Sequence, residues 1–115
     1  MIEFLIWCQL KHWLVDFRLQ TNEMVRGKAI YGNLYGLLHS FQHGILTLYI
    51  ASLFTSLPTA LLVAGFDFIT HYHIDWIKMN YGNRDIQSPK FWSHLGLDQM
   101  AHQIVYLFIA KYIFA

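Results

Sequence analysis

The stretch that decides the fold comprises residues 34–57, which read LYGLLHSFQHGILTLYIASLFTSL. It contains no Asp, Glu, Lys or Arg, and as a helix it would be about 36 Å long, enough to cross the hydrocarbon core of a membrane. Asn33 is a good N-cap before it, and Pro58 stands where it can begin the next helix. The stretch therefore predicts a membrane-spanning helix from Leu34 to Leu57.

The overall composition favours the same interpretation. Hydrophobic residues make up 56% of the 115 residues, whereas charged residues make up only 13%, about half the share of an ordinary globular domain. The net charge is +1, and the few Lys and Arg form no basic patch, so we expect no nucleic-acid partner. The single cysteine, Cys8, has no partner for a disulfide or a thiolate metal site and is expected to pack in the interior.

Three further helices are predicted, and the loops between them set an orientation. The first has a polar stripe formed by Gln9, His12, Asp16 and Gln20, and it carries Lys11 and Arg18 on nearly the opposite side. It therefore either spans with a tilt or lies partly in the membrane interface, with both basic side chains reaching headgroups. The connections 21–33 and 79–90 carry Lys and Arg, which predicts that both are cytoplasmic. The predicted helices are Ile2–Gln20, Pro58–Lys78 and Pro89–Phe114.

The fold class that follows is all-α, a polytopic membrane four-helix bundle with a His/Asp-lined interior. Residues 1–115 form one domain, which is predicted to be a multi-pass protein of the inner (cytoplasmic) membrane.

Histidine and aspartate recur at a spacing of four residues inside these helices. Six such pairs occur, where random placement would give about one. On a helix this spacing puts two side chains one turn apart on the same face, which lets one helix offer two ligands to one metal ion. The stripes of all four helices lie toward one end of the predicted bundle and are expected to converge. The pairs are formed by His12–Asp16, His39–His43, Asp67–His71–Asp75 and His94–Asp98–His102.

The pattern predicts a metal site with more candidate ligands than one tetrahedral ion needs. Either two ions bind, or some of the residues orient the others. His and Asp without Cys suit Zn²⁺, with Mn²⁺ or Fe²⁺ as alternatives, better than Ca²⁺ or Mg²⁺. Two other interpretations are interhelical hydrogen bonding and a proton relay. The candidate metal ligands are His12, Asp16, His39, His43, Asp67, His71, Asp75, Asp98 and His102.

The same residues resemble those of a known family over nearly the whole chain. The strings that carry the resemblance are His12-Trp-Leu-Val-Asp16 with Gln20, then Lys28, His39 with His43-Gly44, His71 with Asp75 and Lys78, and Asp98-Gln99 with His102. They resemble the bacterial and phage membrane family known as domain of unknown function 3307. The resemblance implies a small polytopic membrane protein with a His/Asp signature, and it implies no particular substrate. The chain is more loosely similar to small inner-membrane metal-dependent hydrolases.

The reaction predicted from this chemistry is hydrolysis of a lipid-like phosphoester or ester in contact with membrane lipid. Asp75 at the metal site and Lys78, three residues later on nearly the same face, are the predicted catalytic residues, with Lys78 contacting an anionic substrate group. The alternative is a non-enzymatic membrane protein, either a proton or ion conductor or a phage factor that alters the host membrane. Outside the main set, His94 is either a ligand or a headgroup contact, and His73 is expected to pack or lie at an interface.

Overall fold

Five α-helices form the chain in the computed structural model, which describes residues 1–115. The all-helical part of the prediction is confirmed, and the last helix has the predicted bounds. The helices are α1 (Ile2–Trp13), α2 (Asn22–Gly27), α3 (Leu34–Ser52), α4 (Leu57–Tyr81) and α5 (Pro89–Phe114), and a π-helical turn (Leu14–Arg18) continues α1.

Side-chain caps and proline fix where the helices begin. Asn33 Oδ1 accepts from the N–H of Tyr35 at 2.9 Å, and Ser88 Oγ accepts from the N–H of Lys90 at 3.2 Å, so α3 and α5 both start with a capped first turn. Pro58 lies in the first turn of α4, where its missing N–H costs nothing. At its C-terminus α3 stops at Ser52, five residues before the predicted Leu57, and the following residues turn into α4.

The four long helices form a ring in which each contacts two neighbours. α1 packs against α3 and α5, α4 packs against the same two helices, and α2 lies on α3. One end of the ring has an apolar core to which Phe4, Val63, Tyr106 and Ile109 belong. The other end is filled by histidine, aspartate and lysine side chains. Apolar burial therefore holds one half of the bundle, and polar contacts fill the other.

The helices turn polar side chains inward to an unusual degree. Thirteen of the thirty buried residues are polar or charged, while many large apolar side chains, such as Trp7, Tyr49 and Phe108, are exposed. An ordinary amphipathic helix has the opposite arrangement. Buried polar groups need partners, so the interior of this end is specified by hydrogen bonds and charge pairs.

The prediction of membrane-spanning helices is wrong. None of the helices combines the length with the apolar character that crossing a membrane requires. The inward-facing His, Asp, Gln and Ser residues belong to the helices and lower their hydropathy, and α3 is five residues shorter than its predicted span. The polytopic membrane bundle, the transmembrane helices and the multi-pass inner-membrane localisation are all corrected by this finding. The cytoplasmic assignment of the loops 21–33 and 79–90 loses its basis.

The first half of the chain also differs locally from the prediction. The helix predicted for Ile2–Gln20 changes from α to π geometry at Leu14, and the connection 21–33 contains the short helix α2. Lys11, predicted to point outward to headgroups, is only 4% exposed and lies in the polar interior. The reason is a buried carboxylate on α4 that holds its ammonium group.

Where α2 meets α3, two glycines allow the backbones to touch. A Cβ on Gly36 would lie 2.9 Å from both the carbonyl oxygen of Gly27 and the Cα of Lys28, and neither backbone atom can move aside freely. A Cβ on Gly65 in α4 would have no neighbouring atom within 4 Å. The contact therefore requires glycine at position 36 and not at position 65.

This contact predicts opposite effects for two Gly→Ala substitutions. Gly36→Ala should lower the free energy of unfolding by about 1–3 kcal/mol, because it forces α2 away from α3. Gly65→Ala should raise it by about 0.5–1 kcal/mol, because alanine favours the helix interior. Urea denaturation followed by circular dichroism measures both, and equal effects at the two positions would contradict the close approach.

Candidate metal centre

The His/Asp stripes of all four long helices converge at the polar end of the ring. All nine predicted ligands are buried: α4 supplies three of them, and α3, α5 and α1 with its π-helical turn supply two each. Two groups hold ligand atoms within 4.8 Å of one another and could bind a metal ion. These groups are Asp16, His39, His43 and His71, and His71, Asp75 and His102. The other predicted ligands, His12, Asp67 and Asp98, are buried around them.

Asp16 lies in the middle of the π-helical turn. The N–H of Leu19 bonds to the carbonyl oxygen of Leu14, five residues earlier, at 2.9 Å. Such a turn accommodates one more residue than an α-helical turn, so it shifts the faces that the residues before and after it present. Lys11, His12 and Asp16 are all buried. Turns of this kind are frequent at functional sites, and nothing in the sequence pattern indicated this one.

Four side chains at the middle of the cluster, Asp16, His39, His71 and Asp75, bring their ligand atoms close together. His39 Nε2 lies 3.1 Å from Asp16 Oδ1 and 3.4 Å from both Asp75 Oδ2 and His71 Nε2. His71 Nε2 lies 3.1 Å from Asp75 Oδ2 and 3.8 Å from Asp16 Oδ1. Ligands about 2.0–2.1 Å from a tetrahedral ion lie about 3.3 Å from one another. These five of the six distances among the four atoms scatter around this value, so each aspartate lies with the two histidines at a spacing that a shared ion could bridge.

The hydrogen bonding of the carboxylates supports this fit. Asp75 Oδ2 is buried and makes no hydrogen bond, although Nε2 atoms of His39 and His71 lie within 3.4 Å. Asp98 Oδ1 is also buried without a hydrogen bond, 3.4 Å from His102 Nε2. An unsatisfied buried carboxylate oxygen is costly. Close approach without hydrogen-bond geometry is the arrangement of ligands aimed at a shared cation.

Each of the two central aspartates has a histidine on its outer oxygen. His12 Nε2 lies 3.0 Å from Asp16 Oδ2, and His102 Nε2 lies 3.1 Å from Asp75 Oδ1. The Tyr106 hydroxyl is 2.8 Å from His12 Nδ1. When it donates there, the ring proton of His12 is on Nε2, which lies 2.6 Å from Gln99 Oε1 and 3.0 Å from Asp16 Oδ2. In this tautomer His12 would hold Asp16 in place from outside the two ligand groups.

His43 is tied to the site through a buried lysine. Lys11 Nζ lies 2.9 Å from His43 Nδ1 and donates to Asp67 Oδ2 at 3.0 Å, and Thr47 Oγ1 donates to the same oxygen at 2.6 Å. Because an ammonium group can only donate, His43 Nδ1 accepts and the ring proton is on Nε2, 2.8 Å from Asp16 Oδ1. In this tautomer His43 is a donor to Asp16, and Asp67 is the counter-charge of Lys11.

Two lysines stand on the side of the cluster toward α2 and the α4–α5 connection. Lys28 Nζ lies 3.4 Å from Asp75 Oδ2, and Lys78 Nζ lies 3.6 Å from Asp98 Oδ2. The side chain of Lys28 is buried, whereas that of Lys78 is 21% exposed. Lys78 therefore connects the buried cluster to the surface, on the side where the sequence predicted contact with a substrate.

The sequence analysis did not identify two lysines as interior residues, and it left the role of His94 open between a metal ligand and a headgroup contact. Lys11 was predicted to face outward, and Lys28 was placed in a loop, although it belongs to the strings that carry the family resemblance. His73 lies away from the cluster and bonds to the Tyr31 hydroxyl at 2.8 Å. His94 accepts the backbone N–H of Asn83 at 2.8 Å and stands outside the ligand groups.

The electrostatics of the site leave carboxylates charged and one central ring neutral. Burial raises the pKa of Asp16 and Asp75, but neighbouring histidines, joined at Asp75 by Lys28, outweigh it and hold both pKa values below their usual range. Burial lowers the pKa of His71 to about 4, so this ring is neutral at pH 7 and offers a free lone pair. For His102, burial is outweighed by bonds to Asp75 and Asp98, which raise its pKa to about 9.

The buried Lys11–Asp67 pair predicts a non-additive pair of substitutions. Lys11→Met should lower the free energy of unfolding by about 3–5 kcal/mol, because it leaves the Asp67 carboxylate charged and unpaired in the interior. Combining it with Asp67→Asn should recover much of this loss, because no buried charge remains. Urea denaturation of the two single variants and the double variant completes the cycle. Simple additivity would show that the two side chains are not coupled.

The opposite pKa shifts of His71 and His102 predict that the metal-free protein is most stable near pH 6.5. Between pH 4 and 6.5 the unfolded chain binds a proton at His71 that the folded chain does not, so stability rises with pH. Between pH 6.5 and 9 the folded chain keeps the His102 proton that the unfolded chain loses, so stability falls, by on the order of 3 kcal/mol.

Chemical denaturation in EDTA across this pH range measures the two limbs. His102→Gln keeps a donor toward Asp75 but cannot titrate, so it should flatten the alkaline limb and leave the acid limb in place. A profile that rises steadily from pH 5 to 9 would contradict these protonation states.

Comparison with known proteins identifies one family for the chain. No curated protein and no solved structure matches it at a significant level. One family model, described as "Protein of unknown function (DUF3307)", matches residues 4–115 and so covers all the helices that carry the His/Asp cluster. The chain belongs to the DUF3307 family.

Proposed function

We propose that the protein is a metal-dependent hydrolase of a lipid-like phosphoester or ester, with two metal positions that share Asp75. The observation that carries the proposal is the division of the Asp75 carboxylate between two sets of side chains. Its Oδ2 atom faces His39 and His71, and its Oδ1 atom faces His102. Two ions about 3.5–4 Å apart and joined by shared ligands are typical of hydrolases that act on phosphoesters.

The first position comprises Asp16, His39, His71 and Asp75. Two imidazoles and two carboxylates favour Zn²⁺, and Mn²⁺ or Fe²⁺ would use the same donors. The neutral His71 ring needs to release no proton to bind. With four protein ligands, an ion here would be held tightly and would neutralise the two central carboxylates.

The second position comprises His102 Nε2, Asp75 Oδ1 and Asp98 Oδ1, and an ion bound there would replace the proton that His102 holds in the metal-free chain. The distances from His102 Nε2 to the two oxygens are 3.1 and 3.4 Å, and Asp98 Oδ1 is one of the buried oxygens without a hydrogen bond. Three protein ligands leave one coordination position open, as a catalytic site requires. An ion bound here would supply a Lewis acid and make water reactive at neutral pH.

A cavity beside the second position fits an apolar substrate group. It has a volume of about 330 Å³ and reaches Asp98 and Lys78, while the rest of its wall is mostly apolar, including Ile74, Ile77 and Leu97. The Lys78 ammonium group, 3.6 Å from Asp98, can contact an anionic oxygen next to the reacting bond. A charged head and an apolar tail are the features of the lipid-like substrates predicted from the sequence.

A second candidate function is a structural metal site without catalysis. The specific observation in its favour is that one group of four buried side chains, Asp16, His39, His43 and His71, has its ligand atoms within 4.8 Å of one another, and four ligands can complete a tetrahedral shell. In that case the ion would stabilise the polar end of the bundle, and one ion per chain would be sufficient. The number of bound ions and the hydrolytic activity separate the two candidates.

The proposal predicts that His71→Ala abolishes both metal binding and hydrolysis, because it removes a ligand at the centre of the cluster. His73→Ala is the matched control, since His73 lies on the same helix but is exposed and outside the cluster. The measurements are metal content after loading with Zn²⁺ or Mn²⁺ and hydrolysis of p-nitrophenyl phosphate, bis-p-nitrophenyl phosphate and p-nitrophenyl butyrate.

The expected result is up to two ions per chain in the His73→Ala variant and activity that EDTA removes. Asp98→Asn should retain one ion and lose activity, since Asp98 belongs to the second position alone. A folded protein that binds no ion would overturn the proposal. One ion without activity, unchanged by Asp98→Asn, would favour the structural site.

A further inference from the structure

A second cavity beside the candidate metal centre is lined by cations and amides. Its volume is about 300 Å³, and no Asp or Glu lines it, although Val25, Phe91 and other apolar side chains do. Its polar lining consists of Gln20, Lys28, Lys78, Asn83, Arg84 and His94. We call this cavity the basic cleft.

The cations of the basic cleft have donors to spare. Lys28 Nζ and Lys78 Nζ are 3.4 and 3.6 Å from their nearest carboxylates, whereas a strong charge-assisted hydrogen bond is about 2.7–2.9 Å long. Arg84 Nε donates to the Met79 carbonyl oxygen at 2.6 Å, which fixes the guanidinium group and leaves its terminal amino groups available. Three cations with free donors and no lining carboxylate are the chemistry of an anion site.

The basic cleft and the apolar cavity are neighbours. Lys78 and His94 line both of them. Lys28 pairs with Asp75 and Lys78 pairs with Asp98. Both aspartates belong to the proposed second metal position. An anionic group in the cleft would therefore lie beside that position, with an attached apolar group in the cavity next to it.

We propose that the basic cleft recognises the terminal phosphate of a phosphate monoester whose alcohol portion is apolar. This inference deepens the proposed hydrolase function and rests on it for the reaction, but the binding itself can be tested without metal. A terminal phosphate has three non-bridging oxygens and about two negative charges, which match Lys28, Lys78 and Arg84. A phosphodiester has one charge and two such oxygens, and a carboxyl ester has no charge, so both leave cations unmatched.

The same geometry couples phosphate binding to metal binding. In the metal-free chain Lys28 and Lys78 face Asp75 and Asp98. A cation bound by these aspartates would take over their charge and release the lysines toward the cleft. Metal and phosphate should therefore strengthen each other's binding, and the coupling must be reciprocal.

The first experiment measures binding of inorganic phosphate by calorimetry, to the full chain in EDTA and to the chain loaded with stoichiometric Zn²⁺. We expect saturable binding that weakens as NaCl is raised, with at least about fivefold tighter binding to the loaded chain. Arg84→Gln and Lys78→Gln should each weaken binding about tenfold, whereas Arg84→Lys should recover part of it. Lys90→Gln, an exposed cation on the adjacent first turn of α5 that does not line the cleft, is the matched control.

The second experiment separates free phosphate from a lipid-like ligand by comparing inorganic phosphate, butyl phosphate, octyl phosphate below its aggregation threshold, and dibutyl phosphate. Affinity that rises from inorganic phosphate to butyl phosphate to octyl phosphate supports an apolar monoester. Equal affinity for all four compounds, dibutyl phosphate included, overturns the assignment. Phosphate binding without hydrolysis would leave the cleft in place and overturn the hydrolase. Hydrolysis of p-nitrophenyl butyrate without phosphate binding, or equal weakening by Lys90→Gln and Arg84→Gln, would overturn the cleft and leave the hydrolase in place.

Discussion

Two buried carboxylates that share the same histidines are the constraint on which this structure depends. Asp16 and Asp75 both lie within 3.8 Å of the Nε2 atoms of His39 and His71, in an interior where like charges repel strongly. The histidine rings supply partial compensation through hydrogen bonds, but the Oδ2 atom of Asp75 has none. The Lys28 ammonium group, 3.4 Å from that oxygen, compensates part of the charge, and a metal ion at the centre would relieve the remaining repulsion, so the cluster could hold a metal ion.

This constraint explains how the helices are packed. Each helix must present two polar residues one turn apart to the same small volume, so the polar end of the ring cannot be held by apolar contacts. The apolar contacts are concentrated at the other end, around Phe4, Val63 and Ile109. Between the two, Tyr106 belongs to the apolar core while its hydroxyl group reaches His12. Packing at one end therefore fixes the orientation of the side chains at the other.

Spacing within a helix was readable from the sequence, whereas contacts between helices were not. The i,i+4 pairs correctly indicated helices that carry polar stripes, and Asn33, Pro58 and Ser88 marked where helices begin. The apolar composition was misleading because it was assigned to membrane spans, although the helices fall short of the required length or hydropathy. The burial of Lys11 depends on Asp67, 56 positions away, and on a π-helical turn without a sequence signature. No helical periodicity of α1 alone contains that information.

The distribution of the lysines indicates on which side of the cluster an anionic ligand can bind. Lys11 is 4% exposed and its Nζ atom lies 2.9 Å from His43 Nδ1 and 3.0 Å from Asp67 Oδ2, so its charge serves the interior. Lys28 and Lys78 stand on the opposite side, at longer distances from their carboxylates and on the wall of a cleft. A cation that is held loosely beside a metal-binding carboxylate can exchange that partner for an anionic ligand, whereas a tightly paired cation cannot. The asymmetry therefore agrees with a structural role for Lys11 and with the proposed phosphate-binding role of Lys28 and Lys78.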